Sequence, residues 1–231
     1  MNPSTPYWLQ NRHKIAPTLE NDITCDVVVI GGGITGVAAC RALLKEGVDV
    51  VLIEAREIAM SATGRNAGFI LQGTAERYNR AIELYGREKA RQIHQYTIDN
   101  HRLIQQCIEE ESLNCEYRQS GSLQLAGSIE EENELRESQQ LLSQDGFRAE
   151  LLEDLPSHYK NANFNVGVLL PDDGEIQPAQ YVRQCVRRFQ ERGLRVFENS
   201  PVLEINDGSE GVECVCANGT VSAQVAIVCT N

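Results

Sequence analysis

Asp26-Val-Val-Val-Ile30 is a short run dominated by β-branched residues, and it leads directly into Gly31-Gly-Gly-Ile-Thr-Gly36. Few folds accept that succession, because β-branched side chains favour extended backbone while clustered glycines let it turn sharply. Helix formers follow from Val37 to Lys45, then Gly47, then a second apolar run from Val48 to Ile53 that ends in Glu54. The order predicts a buried strand, a tight turn, a helix and a second strand, the opening unit of an α/β fold.

The glycines at 31, 33 and 36 occupy the three positions of G-x-G-x-x-G. Gly31 permits the strand-to-helix turn, Gly33 lets the backbone approach a pyrophosphate with no Cβ in the way, and Gly36 lets the helix pack closely on the sheet. The helix N-terminus offers free N–H groups and the positive end of its dipole to phosphates. Glu54 lies eighteen positions past Gly36, at the carboxyl end of the second strand. A carboxylate there can accept hydrogen bonds from ribose hydroxyls and would repel a 2′-phosphate, which disfavours NADP. A glycine-rich turn in an ordinary α/β protein is the competing reading, and the full register of strand, glycines, helix, strand and acid weighs against it.

At 231 residues the chain is long enough for one large domain or two small ones. Its 21 basic and 33 acidic residues give a net charge of −12, which argues against nucleic acid as a partner. The acidity weakly favours a cationic substrate, but it is also an ordinary route to solubility. No C-x-x-C occurs among the eight cysteines; Cys40, Cys107 and Cys185 fall in helical patterns, Cys214 and Cys216 alternate along a strand, and Cys25 and Cys229 flank or end apolar strands. Buried reduced thiols of a cytoplasmic protein are the simplest account. His13, His94, His101 and His158 show no metal-ligand spacing. No apolar stretch approaches a membrane span. Residues 1–21, polar and containing three prolines, read as a loose leader in which Tyr7-Trp8-Leu9 is an apolar clip for the domain surface, and not as a signal peptide.

Beyond Glu54, Ser61-Ala-Thr-Gly-Arg-Asn-Ala-Gly68 is a small, polar loop suited to lying along an extended ligand, with Arg65 and Asn66 as donors. Residues 76–111 have a helical pattern broken near Tyr85-Gly86. Ile93, Thr97, Ile104, Cys107 and Ile108 would form its buried stripe, and Arg91, Gln95, Asp99 and Arg102 would face water. A strand over 121–126, a charged helix over 130–144 and a strand over 166–170 follow. Pro171-Asp-Asp-Gly174 is a turn, and a helix over 179–192 has Pro178 near its first turn and Gly193 at its end. Short strands at 195–197, 201–206, 212–216 and around Val221, with turns at Asp207-Gly208 and Asn218-Gly219, predict a small antiparallel meander. Val225-Ala-Ile-Val-Cys229 is continuously apolar and predicts a strand buried on both faces.

Four landmarks in this order resemble the FAD-dependent oxidoreductases of the D-amino acid oxidase superfamily: Gly31 to Gly36 with Glu54, the loop Ala62 to Gly68, Gly174-Glu-Ile-Gln-Pro178 before a helix, and Val225 to Asn231. The leader Tyr7-Trp8-Leu9 and the Gly-Arg-Asn-Ala-Gly form of the loop look most like the γ-glutamylputrescine oxidase branch, which oxidises amines. The resemblance implies an α/β, Rossmann-like FAD-binding domain from segments 22–113 and 166–231, with parallel sheet, helices and the small meander. Residues 114–165 would be part of an α+β substrate domain. It places Gly31, Gly33, Gly36, Glu54 and Arg56 at the ADP half of FAD, with Ile34, Thr35 and Ala55 as further cofactor-binding positions. Ser61, Thr63, Gly64, Arg65 and Asn66 would run under the pyrophosphate, ribityl chain and flavin edge; Val202 would meet adenine through its backbone, and Thr230 would lie near the cofactor. The implied reaction is oxidation of the C–N bond of a small amine or amino acid by hydride transfer to flavin N5, with no catalytic residue identified.

Family members continue well past the position of Asn231, and this chain stops directly after an apolar strand, so the expectation is an N-terminal part with a complementary C-terminal half as partner. Two alternatives stay open. One is an NAD-dependent dehydrogenase, which Glu54 also suits; the other is a nucleotide-binding fragment inactive without that partner.

Overall fold

The computed structural model describes residues 5–10, 14–160, 164–209 and 211–230; His13 and Asn231 lie outside them. In chain order the elements begin with β1 (Ile23–Ile30), α1 (Ile34–Lys45), β2 (Val50–Ile53) and the two-residue β3 (Phe69–Ile70). There follow α2 (Tyr78–Tyr85), α3 (Arg87–Glu110), β4 (Ser122–Leu125), α4 (Ile129–Gln144), β5 (Glu150–Leu152) and α5 (Ser157–Lys160). The remainder is β6 (Gly167–Leu170), β7 (Gly174–Glu175), α6 (Pro178–Gln190), β8 (Arg195–Phe197), β9 (Val202–Gly208), β10 (Gly211–Cys216) and β11 (Thr220–Val228).

These elements group into two compact units. The first, Met1–Ala67 with Glu111–Cys115 and Gln177–Asn231, holds a six-stranded sheet in the order β8-β2-β1-β11-β10-β9. β1 runs parallel to β2, from Val27 opposite Val50 to Ile30 opposite Ile53, and β8 extends this parallel half. β2 starts at Val50 rather than Val48, because the Val48 N–H is taken by the carbonyl of Leu43 at the end of α1. The β-branched side chains divide by parity: Val28, Ile30, Val51 and Ile53 share one core with Leu19, Val212, Cys214 and Val221, while Val29 turns toward α1.

Two expectations change here. The stretches around Val221 and from Val225 to Cys229 are one strand, β11, not two. It pairs antiparallel with β10 at its start and parallel with β1 from Val221 to Val228, keeping one register on both sides of the polar Gln224. Nor is β11 buried on both faces, since Val225 is 52% and Val228 58% exposed. α1 packs on β1 and β2, and α6 packs on β8.

The leader is also tied down rather than loose. The Ile15 and Ala16 N–H groups donate to Glu198 Oε2, Leu19 N–H donates to Ser200 Oγ, and Glu198 N–H donates to Pro17 O.

The second unit, Gly68–Glu110 with Glu116–Ile176, has a three-stranded antiparallel sheet, β4-β6-β5, and the short β3–β7 pair. The helical break falls at Gly86, which has φ +80°. The buried stripe of α3 runs through Ala90, His94, His101 and Cys107, so the expected Ile93, Thr97, Ile104 and Ile108 are its flanks; Arg91 and Arg102 face water, and Gln95 and Asp99 are half-buried. α4 is capped by Ser128, whose Oγ accepts the Glu131 N–H. These units cut the chain differently from the expected 22–113, 114–165 and 166–231 segments. α2 and α3 join the unit of β4 and α4 because Tyr78, Ala81 and Ala90 share a core with Leu135, Leu142 and Phe147. Residues 111–115 return to the first unit, where buried Glu111 takes a two-pronged salt bridge from Arg192.

Candidate functional site

The turn between β1 and α1 is built so that its glycines are obligatory. Gly31 has φ +113°, and a Cβ there would lie 2.9 Å from the carbonyl oxygen of Cys229, which follows β11. Its N–H donates to Ile53 O, so the turn is held to β2 as well. A Cβ on Gly36 would drive into the carbonyl of Gly31, which explains why helix and strand come so close. Gly32, which the motif leaves free, is also crowded, but by a side chain and not by backbone: a Cβ there would meet Ile58 Cδ1.

The first turn of α1 starts from Gly33, an extended N-cap with no side chain of its own. Thr63 supplies the missing cap, its Oγ1 accepting the Ile34 N–H at 3.1 Å. The Val37 N–H is taken by Gly33 O, but the N–H groups of Gly33 and Thr35 have no partner among the described residues. Unsatisfied donors at the positive end of a helix form a cradle for an anion.

These donors open into a cavity of about 520 Å³ that lies wholly within the first unit. Ile30, Gly31, Gly33, Ile34 and Thr35 form its floor. Ile53, Glu54, Ala55 and Arg56 form one side, and Ser61, Ala62 and Thr63 another. Ser200, Pro201 and Val202 close a third side, with Cys229 and Thr230 at the end of β11. Glu54 is oriented by its own backbone neighbours: Oε2 accepts the Gly32 N–H at 2.7 Å and Oε1 the Arg56 N–H at 2.9 Å. Each carboxylate oxygen keeps a second lone pair for a ligand hydroxyl. Arg56 Nη2 donates to Ser61 Oγ at 2.7 Å, joining two sides of the cavity.

Four expected positions do not line it. Gly36 acts from behind, through the helix–strand approach just described. Gly64, Arg65 and Asn66 form the back of the Ala62–Arg65 turn. There Arg65 Nε donates to Met60 O, and Asn66 Nδ2 donates to the carbonyls of Ala62 and Thr63, so both side chains brace their own loop. Sequence reasoning missed Ser200 and Glu198. Glu198 is fully buried behind the third side, and Oε1 accepts the Ile58 N–H at 2.8 Å. No local signal marks it, because its partners lie far away in the chain.

Burial acts on both thiols near the site in the same direction. Burial pushes Cys40 up to about 12, with the neighbouring Cys229 adding to it, and burial raises Cys229 as well. Among the described residues no group of three His, Cys, Asp or Glu side chains could hold a metal. The second unit contains a small cavity of about 40 Å³ beside buried His94, whose pKa burial pushes down to about 4. His101, also lowered by burial, meets the Tyr117 hydroxyl at 2.9 Å.

Known proteins resemble this chain in sequence and in fold. The sequence profile of the DAO family, described as FAD dependent oxidoreductase, matches residues 26–231. Gamma-glutamylputrescine oxidoreductase of Escherichia coli (strain K12) is 30% identical over 245 residues, which cover 99% of this chain and 54% of that protein. Glycine oxidase of Bacillus licheniformis is 27% identical over 214 residues, 88% of this chain and 53% of its own. L-amino acid deaminase from Proteus vulgaris, with its specific insertion sequence deleted, shares the fold, with a TM-score of 0.75 at 16% identity over 98% of this chain and 57% of its own. The chain spans about half the length of the curated relatives it matches.

Proposed function

The chain belongs to the FAD dependent oxidoreductase family, and on that premise we propose that its cavity holds FAD and serves the oxidation of a small amine or amino acid at the C–N bond. The observation that carries this reading is the pair of unpartnered N–H groups, Gly33 and Thr35, facing a cavity of about 520 Å³ with Glu54 on its side. That volume falls within the ~300–1,000 Å³ typical of ligand sites. The two N–H groups would hold the pyrophosphate, Glu54 the ribose hydroxyls, and the Val202 backbone the adenine. Arg56, Ser61 and Thr63 would flank the phosphates, and Thr230 would lie beside the cofactor. Bound FAD would supply a two-electron acceptor at N5 for the hydride of the neutral amine's α-carbon; the imine that remains is hydrolysed to a carbonyl compound and ammonia or an amine.

The relatives' names guide the substrate class: γ-glutamylputrescine is an amine, and glycine an amino acid. Turnover would need residues beyond those described, with a complementary C-terminal half as their source. No described helix is long and apolar enough to cross a membrane, and the eight free cysteines favour a reducing, cytoplasmic setting. An NAD-dependent dehydrogenase is disfavoured, since β8 leads into the β9–β10–β11 meander instead of a second β-α-β half. Titration of the purified chain with FAD and, separately, NADH tests the proposal: saturable FAD binding with NADH inert is expected, and the reverse preference would overturn it.

A further inference from the structure

The cofactor reading leaves the segment before β1 without a task, yet its two described stretches grip different sides of the cavity. The Tyr7–Leu9 turn lies against the Ala62–Arg65 turn. Trp8 Nε1 donates to Asn66 O at 2.6 Å. Leu9 is 1% exposed, and its side chain sits over Gly64 so closely that a Cβ at 64 would lie 2.6 Å from Leu9 Cδ2. Gln177 Nε2 donates to Trp8 O at 3.3 Å, while Gln177 Oε1 caps α6 through the Gln180 N–H. The turn is thereby fixed to a helix as well as to the loop.

The second stretch holds the opposite side. Buried Glu198 accepts the Ile15 and Ala16 N–H groups at 2.8 and 3.1 Å, and Ser200 Oγ accepts Leu19 N–H at 2.9 Å. Glu198 and Ser200 lead directly into Pro201 and Val202 of the cavity lining. The other Glu198 oxygen holds Ile58 in the turn after Glu54. One carboxylate therefore joins the leader to two parts of the site.

From this geometry we infer that the N-terminal segment is a strap that positions the cofactor, with Trp8 and Leu9 setting the Ser61–Asn66 turn and, through Thr63, the first turn of α1. The inference rests on the reading that the cavity holds FAD. Trp8 and Leu9 are positioning residues, since neither lines the cavity. Their influence passes from Gly64 to Thr63, whose hydroxyl caps the Ile34 N–H beside the free donors of Gly33 and Thr35. Displacing the turn removes that cap and moves the Ser61 hydroxyl away from Arg56.

The chain's single tryptophan is Trp8 itself, so the strap carries its own probe. Tryptophan emission overlaps flavin absorption, and titration of the wild-type chain with FAD should quench Trp8 saturably. Leu9→Ala should weaken FAD binding by about tenfold or more, and Leu9→Met, which preserves volume, should restore it to within about threefold. Trp8→Phe keeps a ring but loses the bond to Asn66; read by flavin fluorescence, it should bind FAD roughly two- to tenfold more weakly. Apo-protein melting is measured alongside. A merely structural role would lower the midpoint and leave FAD affinity intact. A wild-type chain that does not bind FAD overturns the cofactor reading and the strap with it. Wild-type binding with Leu9→Ala and Trp8→Phe of unchanged affinity overturns the strap alone, and if Leu9→Ala does not fold, Trp8→Phe decides.

Discussion

Gly36→Ala isolates what the glycine turn contributes, because it changes one methyl group and touches no ligand-facing atom. The added Cβ would fall a full ångström inside the 3.0 Å that real Cβ atoms keep from other heavy atoms, and its obstacle is the Gly31 carbonyl, which cannot rotate away. Helix and turn must therefore separate by about 1 Å. Overpacking of this kind costs roughly 1–3 kcal/mol, offset in part by about 1 kcal/mol of better helix propensity. The functional consequence should exceed the net stability change. A hydrogen bond from Gly33 or Thr35 N–H to a phosphate, lengthened by about 1 Å from ~2.9 Å, is no longer a hydrogen bond. Loss of one or two charge-assisted bonds at about 1.5 kcal/mol each predicts FAD binding weaker by roughly tenfold to a hundredfold. Gly47→Ala is the matched control: Gly47 has φ +73°, and a Cβ there would meet nothing within 4 Å. It should cost about 1–2 kcal/mol of backbone strain and leave FAD affinity alone. Fluorescence titration of both variants, with melting curves, makes the comparison. Equal affinity for Gly36→Ala and wild type, or an equal loss in both variants, would refute the argument that the close approach aligns the donors.

Two further perturbations address the acid and the buried imidazole. Glu54→Gln puts an NH2 group opposite the Gly32 or the Arg56 N–H, both of which the carboxylate now accepts; FAD titration should show binding weaker by about tenfold or more, and unchanged affinity would remove Glu54 from the site. Burial holds His94 neutral by pushing its pKa down from 6.5 to about 4. The unfolded chain therefore takes up a proton in that window which the folded chain refuses, and stability should fall by about 3 kcal/mol as the pH drops from 6.5 toward 4, with no dependence from this group above it. Urea midpoints across that range should flatten in His94→Phe, and an identical slope in the variant would refute the assignment.

The parts of this site legible in the sequence are those whose cause is local. Gly31 is demanded by its own φ of +113° and Gly36 by the Gly31 carbonyl within the same turn, so a spacing rule finds them, and Gly86 ends a helix by its own positive φ. Gly32 is crowded by the Ile58 side chain, and Thr63 caps a helix twenty-nine residues away, so no spacing rule reaches either. A hydropathy pattern leaves His94 and His101 out of the α3 stripe for a different reason: it scores imidazole as polar, whereas a neutral His94 ring packed on Tyr78 and Phe147, or a His101 ring against Tyr117, behaves as an aromatic. Apolar periodicity breaks β11 at Gln224, although its register with β1 is the same on both sides of that residue. Glu198 is the clearest case. A carboxylate at the end of an apolar strand reads as a solvent-facing turn, yet it is fully buried because three backbone N–H groups, from Ile15, Ala16 and Ile58, converge on it. Burying a charge is tolerated only with such partners, so the leader and the turn after Glu54 must already be in place for the Ser200–Val202 side to stand where it does. The glycine motif thus specifies the floor of the cavity by short-range sterics, and the Ser200–Val202 side exists only through contacts between residues more than a hundred positions apart.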